Sequence, residues 1–335
     1  MFALRGIAVS LTFFVLLYCL LSLAVAVAWR SLQWLAATER SRARLLFALR
    51  ILPLVASVVV TFAFVVPSFQ LLEPRSIDIA EGIGTLPLAL GVCALLLIAW
   101  GSFRVIAAQT ETSRIVARWL ESAHPLSVEG ASQDGAQTGG ESCAPVSIGT
   151  RAKTVTFCSR PEAPPLTLVG VYKPRVLVSE STVALLTSDE LRIALEHEVA
   201  HMQSRDNLKK LIFRFCPFPG MTRLESTWSQ TAELAADDAA VSNAGDAVDL
   251  AAALVKLSRL VPVDAAPVCT VGFVTGSILA RVERLLAWNE AAKSRPERLR
   301  GWYAAIPALV ALLCVFATYG PALALTHELT EWLVR

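Results

Sequence analysis

Residues 188–206 read SDELRIALEHEVAHMQSRD, and this stretch indicates the fold class of the domain that contains it. Thr187 or Ser188 can cap a helix here, and acidic side chains in the first turn favour its amino-terminal end. Its apolar side chains recur on a helical period, at Leu191, Ala194, Leu195, Val199 and Met202. We therefore predict a helix that carries His197 and His201 one turn apart on one face.

The two histidines and the glutamate between them have the spacing of a zinc-peptidase site. The chain has only four histidines, and two of them fall in this helix. Two imidazoles at positions i and i+4 can bind one Zn²⁺ ion at about 2.0–2.1 Å. Glu198 lies one position round the helix, where its carboxylate can act as the general base that takes a proton from water. The alternative is a helix with two ordinary surface histidines.

A catalytic zinc ion needs a third protein ligand and an open fourth position. The remaining histidines are poorly placed, because His124 precedes a predicted linker and His327 lies beyond the last predicted span. A carboxylate on a second helix is expected instead, and the run TAELAADDAAV supplies Glu233. Asp237 follows one turn later, where it can accept the free ring N–H of a ligating histidine. Asp238 is the weaker candidate for that role.

The composition outside this domain is that of a membrane protein. Hydrophobic residues make up 55% of the chain and charged residues 17%, which is too apolar for a purely soluble protein of this length. Runs without internal charge that can cross a hydrocarbon layer of about 30 Å occupy 6–29, 51–72, 83–103 and 302–325. We predict a mainly α-helical integral membrane protein with four transmembrane helices, the first retained rather than cleaved.

The charges between the spans predict the orientation. The first loop carries Arg30, Arg40, Arg42, Arg44 and Arg50 against a single glutamate, whereas the second loop is acidic. Because Lys and Arg beside a span resist translocation, the first loop is expected in the cytoplasm. This places the amino terminus outside the cytoplasmic membrane and residues 104–300 inside as one domain. Residues 301–335 then comprise the fourth span (302–325) and a short external tail.

Residues 104–300 are predicted to form an α+β domain with a small sheet. A helix continues from the third span to Ser122, and residues 123–150 are rich in Gly, Ser and Gln, as in a flexible linker. TVTFCS (154–159) and RVLVSES (175–181) have the composition of short strands, joined by a turn-rich segment and paired in an antiparallel unit. RVLVSES is either an ordinary strand or an edge strand to which a substrate adds.

Further features of the domain bear on its packing and on the kinds of site it can contain. The segment LKKLIFRFCPFPGMTRL (208–224) mixes aromatic and basic residues, so it either packs on the domain or lies at the membrane surface. The seven cysteines include no C-x-x-C pair, which favours neither a disulfide framework nor a cysteine zinc site. No basic and aromatic pattern indicates direct nucleic-acid binding.

Three segments together resemble a known family. GVYKPRVLVSE, LTSDELRIALEHEVAHMQSRDNL and ELAADDAAV resemble the membrane zinc metallopeptidases of the BlaR/MecR antirepressor type, and more distantly the HtpX and CAAX-prenyl-protease group. The resemblance implies a gluzincin-like domain in which His197, His201 and Glu233 bind Zn²⁺, Glu198 is the general base and Asp237 orients a ligand. Arg205 and Asp206 also match the family, and we interpret them as a structural ion pair or cap.

The resemblance also implies an activity and a partner. Members of this family cleave themselves and a cytoplasmic DNA-binding repressor, so a protein substrate is expected here. The family's penicillin-binding sensor is missing after the fourth span, where only THELTEWLVR follows. Direct β-lactam sensing is therefore not expected, and the signal would enter through the loop between spans two and three or through a separate sensor protein. The alternatives are an HtpX-like quality-control protease and a non-catalytic transducer stabilised by zinc.

Overall fold

The fold is known from a computed structural model of the chain. It describes residues 2–73, 84–121, 124–125, 158–159, 165–171, 174–260, 271–272, 278–289 and 319–332.

Three long apolar helical segments form the first part of the molecule. Helix α1 (Phe2–Leu32) runs into a 3₁₀ turn, and α2 (Glu39–Val60) continues through a π-helical turn at Thr61–Val65 into α3 (Val66–Leu72). Helix α4 covers Thr85–Glu121, which includes the predicted extension beyond the third span. Three stretches are long and apolar enough to cross a membrane, namely Ala3–Leu35, Glu39–Leu72 and Thr85–Ala117. They agree with a largely α-helical membrane protein.

The fourth predicted span, 302–325, lies mostly outside the described residues. Only its end is described, as part of a helix at 319–332, here α11. The linker predicted at 123–150 is also outside them, apart from His124–Pro125, which forms the short strand β1.

The remaining elements form a helical domain with a small sheet. The helices are α5 (Glu180–Leu185), α6 (Ser188–Ser204), α7 (Asp206–Phe215), α8 (Thr222–Ala240), α9 (Ala244–Ser258) and α10 (Ile278–Leu286). The strands are β1, β2 (Cys158–Ser159), β3 (Leu166–Val169), β4 (Arg175–Val178) and β5 (Val271–Gly272). Among the described residues the strand order is β1-β2-β4-β3-β5.

The sheet corrects two of the sequence predictions and decides between the two alternatives for a third segment. Strand β3 lies in the segment that we predicted as turns, and its residues Leu166–Val169 are all buried. The strand has only four residues and directly follows two prolines at 164–165, so the turn signal dominates there. Strand β2 pairs with β4 in parallel, not antiparallel. Because β4 lies between β2 and β3 in the described part of the sheet, it is the ordinary strand of the two alternatives and not an edge strand.

Helix α6 forms where the sequence predicts it, and the cap explains its start. The Thr187 side chain accepts a hydrogen bond from the backbone N–H of Glu190, whose carboxylate accepts the Thr187 N–H in return. Ile193, Ala194, Leu195 and Val199 are buried against the sheet and α9. Ile193 and Ala194 lie one turn before His197 on the same face, so the two histidines continue the buried surface of α6 at the place where it packs against α8.

Helix α8 packs against the apolar helices as well as against α6. Its buried Leu224 and Trp228 share one hydrophobic cluster with Trp29 of α1 and Leu46 of α2. The segment LKKLIFRFCPFPGMTRL, which leads into α8, joins the same region, since the Phe218 ring lies 6.0 Å from that of Tyr18 in α1. This segment therefore packs on the membrane-type helices and on the domain together.

A buried arginine links α2 to the start of α8. Arg50 is 2% exposed. Its Nη2 donates to the backbone carbonyls of Phe213 and Cys216 at 3.3 and 2.5 Å and lies 2.7 Å from Oε1 of Glu225 in the first turns of α8. One guanidinium thus fixes the end of α7 and the beginning of α8 to α2.

Candidate metal centre

The structure brings His197, His201 and Glu233 together between α6 and α8. The two Nε2 atoms lie 3.1 Å apart. Oε2 of Glu233 is 3.5 Å from Nε2 of His197 and 3.7 Å from Nε2 of His201. Tetrahedral bonds of about 2.0–2.1 Å would separate neighbouring ligand atoms by about 3.3–3.4 Å. The three atoms therefore face one point at distances that suit a zinc ion.

Each histidine is held by a carboxylate on its other ring nitrogen. Nδ1 of His197 lies 2.9 Å from Oδ1 of Asp237, and Nδ1 of His201 lies 2.8 Å from Oδ2 of Asp206. With a proton on Nδ1, His201 donates to Asp206, and the nearby Asp237 carboxylate favours the same tautomer of His197. In these neutral tautomers the lone pair of each Nε2 faces the shared point. Asp238, the weaker candidate, pairs with Arg284 at 2.7 Å instead.

The interpretation of Arg205 and Asp206 as a structural ion pair or cap is confirmed for the cap, which Arg205 forms at the end of α6, while Asp206 makes a further contact that we did not predict. Helix α6 ends at Arg205, whose φ of 56° lies in the left-handed region, and the chain turns so that Asp206 begins α7. This turn directs the Asp206 carboxylate back toward His201, and Lys209 adds a salt bridge at 2.8 Å. A carboxylate just past the second histidine was the available signal, but the reversal at Arg205 was needed to interpret it.

Arg281 of α10 was not predicted at all. Its Nε and Nη2 donate to both carboxylate oxygens of Asp237 at 2.8 and 2.6 Å, and its Nη1 donates to Oε2 of Glu233 at 3.1 Å. This fork fixes the ligand Glu233 and the carboxylate behind His197 in one geometry. Nothing in the local sequence marks the residue, because only packing selects it from the arginines of α10.

Glu198 is the unpartnered carboxylate of the centre. It is 0% exposed, and neither carboxylate oxygen has a hydrogen-bond partner among the described residues. Burial raises its pKa to about 6, with Glu233 adding to the effect and the two histidines opposing it. A buried polar group with no partner is costly, so this carboxylate has a reason to be here other than packing.

The charges of the centre favour the binding of a cation. Burial opposes charging of His201, but the carboxylates of Glu233 and Asp206 outweigh it and raise the pKa to about 10. Burial likewise opposes ionisation of Glu233, yet the histidines and Arg281 hold its pKa well below the usual range. In the metal-free protein, His201 therefore carries a proton close to where the ligand atoms converge. A divalent ion would replace that proton.

The centre is closed to solvent. His197 and Glu198 are 0% exposed, His201 is 1% and Glu233 is 2%. Arg281 lies against it from α10 and is itself buried at 3%. A peptide could reach Glu198 only after the chain around the centre moves.

One other group of ligand-type side chains occurs in the described part of the chain. It consists of Glu73, His327 and Glu331, which are half-buried. This group offers one histidine and is only half-buried, whereas the group at α6 and α8 offers two histidines and is fully buried. The group at α6 and α8 is therefore the stronger metal centre.

Comparison with known proteins does not identify a family for this chain. No protein-family model matches the chain, and no curated protein matches it significantly.

Proposed function

We propose that the chain is an integral-membrane zinc metalloendopeptidase, in which His197, His201 and Glu233 hold Zn²⁺ and Glu198 is the general base. The observation that supports this is the convergence of two Nε2 atoms and one Oε2 atom within 3.1–3.7 Å of one another, with a buried carboxylate next to His197. A purely structural zinc site has no need of such a base.

The side chains around the centre have separable roles in this proposal. The zinc ion, when bound, supplies a Lewis acid that polarises a carbonyl and makes water more acidic. Asp237 and Asp206 hold the Nδ1 protons of the two histidines and so fix the ring orientations. Arg281 keeps the Glu233 carboxylate turned toward the rings. Glu198 accepts the proton of the attacking water and delivers it to the leaving amine.

The substrate in this proposal is a cytoplasmic regulatory protein, such as a transcriptional repressor. Two features support that location. Helix α8, which carries Glu233, packs against α1 and α2. The end of α1 and the first turns of α2, on either side of their connection, carry the arginines that favour the cytoplasmic side. The domain would then face the cytoplasm and the amino terminus the outside. The proposal also includes a separate sensor protein as a partner of the chain. It includes no direct contact with nucleic acid.

The test is a paired measurement of metal content and cleavage on the purified chain. His197→Ala and Glu233→Ala should lose bound zinc, because each removes one ligand. Glu198→Gln should keep zinc and lose cleavage of any protein substrate, including self-cleavage. Full cleavage by the Glu198→Gln variant would disprove the proposed mechanism, and a wild-type chain that binds no zinc would disprove the centre itself.

A non-catalytic transducer stabilised by zinc is the second candidate, and the burial of the centre favours it. Its prediction differs at one point, since the wild-type chain would bind zinc yet cleave nothing under any activating condition. An HtpX-like role shares the chemistry and would be recognised by cleavage of misfolded membrane proteins rather than of one soluble regulator.

A further inference from the structure

A cavity of about 730 Å³ lies between α4 and the turn that joins α7 to α8. One wall is formed by Leu97, Trp100 and Arg104, which follow one another at helical spacing on α4. The other wall is formed by Lys210 and Arg214 of α7 and by Phe218 of the turn. This cavity belongs neither to the metal centre nor to the proposed chemistry.

The lining changes character along the helix. Residues 85–103 of α4 form an uncharged run that ends at Arg104, so the arginine lies where an apolar span meets polar surroundings. Leu97 and Trp100 lie on the apolar side of that boundary, and Trp100 is 57% exposed. The cavity is therefore apolar on its membrane side and basic on the other.

The charge balance of the cavity is positive. Among the described residues that line it, three are basic, namely Arg104, Lys210 and Arg214, and one is acidic, Glu225. That carboxylate is already paired with Arg50 at 2.7 Å. Basic pockets between membrane helices on the cytoplasmic side bind the phosphate groups of anionic lipids.

We propose that this cavity binds one anionic phospholipid, with its phosphate against Arg104, Lys210 and Arg214 and an acyl chain along Leu97, Trp100 and Phe218. The apolar wall distinguishes a lipid from a free phosphate, which would leave that wall in contact with water. The three cations distinguish an anionic headgroup from a zwitterionic one, whose ammonium group they would repel. The bound lipid connects α4 to the turn that leads into α8.

The experiment is native mass spectrometry of the full chain from mixed micelles that contain phosphatidylglycerol and phosphatidylcholine in equal amounts. The wild-type chain should retain one phosphatidylglycerol in preference to phosphatidylcholine. Arg104→Gln/Arg214→Gln should reduce that retention roughly tenfold or more, because each cation near a lipid surface contributes a factor of about five. The matched control Arg40→Gln/Arg114→Gln removes the same charge from exposed positions outside the cavity and should retain the lipid.

Two further measurements decide what is bound. Trp100→Ala should also reduce retention, since it removes part of the apolar wall, and circular dichroism of each variant verifies that it is folded. If the double variant proves unfolded, Lys210→Gln replaces it as the test of the basic side. Equal retention by the cavity and control variants, equal retention of the two lipids, or displacement of the lipid by soluble glycerol phosphate would each overturn the proposal.

Discussion

The two histidines of α6 are held by the same chemistry, assembled from different parts of the chain. His197 is oriented by Asp237 of α8, which is fixed in turn by Arg281 of α10. His201 is oriented by Asp206, five residues away, which is paired with Lys209 one turn further on. The contacts around His197 form only when α6, α8 and α10 have packed together, whereas those around His201 form within the single segment α6–turn–α7.

The two arrangements also differ in exposure. The Arg281 side chain is 3% exposed, and that of Lys209 is 17% exposed. A buried ion pair that loses one partner leaves an uncompensated charge in a poorly solvated place, while a partly exposed charge can return to water. The carboxylate behind His197 should therefore matter more to stability than the one behind His201.

The largest effect is expected from Asp237→Ala. This change removes the acceptor of His197 and strands the buried Arg281, so we expect a loss of about 3–5 kcal/mol in the free energy of unfolding and zinc affinity about 10–100-fold weaker. Thermal unfolding in detergent and zinc titration measure the two quantities. Asp238→Ala is the matched control on the next residue, whose partner Arg284 is partly exposed; an equal effect there would contradict the comparison.

Next is Glu198→Gln in the metal-free protein, which tests the carboxylate of the metal centre that has no hydrogen-bond partner among the described residues. The pKa of Glu198 is raised to about 6 in the folded state, from an ordinary value of 4.5. The unfolded chain therefore ionises Glu198 more readily, and the folded state loses stability as the pH rises above 4.5. The amide cannot ionise, and we expect it to stabilise the chain by about 2 kcal/mol at pH 7. Below pH 4.5 the gain should vanish, which unfolding curves at both pH values would reveal.

A smaller loss is expected from Asp206→Ala. Zinc affinity should fall about tenfold, because His201 loses the partner of Nδ1, and the free energy of unfolding should fall by about 1–2 kcal/mol. Asp206→Asn keeps an acceptor oxygen and should recover most of the zinc affinity. If Asp206→Ala destabilises the chain as much as Asp237→Ala, the distinction between local and long-range support is wrong.

The smallest effect is expected from Lys209→Ala. A partly exposed pair contributes less than about 1 kcal/mol, so zinc content should not change and unfolding should shift slightly. The matching change on the other side, Arg281→Ala, should cost several times more, because two buried carboxylates lose their cation. Double-variant cycles with the corresponding aspartates measure both couplings on one scale.

The sequence predicts the part of the centre that follows from helical periodicity. His197 and His201 lie on one face because α6 has a cap, an apolar stripe and no helix breaker, and Glu233 and Asp237 share a face of α8 for the same reason. The contact of Asp206 with His201 was not predicted, because the left-handed turn at Arg205 that produces it gives no recognisable signal in the sequence. Which element faces which is set by packing across the whole domain.

Arg281 shows most clearly what the sequence does not contain. Arg281 and Arg284 are both basic residues in one short amphipathic helix, and their spacing puts them on similar faces. Yet the first side chain is 3% exposed and the second 37%, a difference made by how α10 packs on α8 and α9. Strand β3 was missed for a different reason, because two prolines stand directly before its four residues and the turn signal outweighs so short a run.

The guanidinium of Arg50 has a mechanical consequence. It holds the carbonyls at the end of α7 and the Glu225 carboxylate at the start of α8 from a position on α2. If α2 twists or slides within the bilayer, either these three bonds break or the amino-terminal end of α8 follows. Glu233 lies about two turns further along α8. A displacement of α2 would therefore move a side chain that faces His197 and His201.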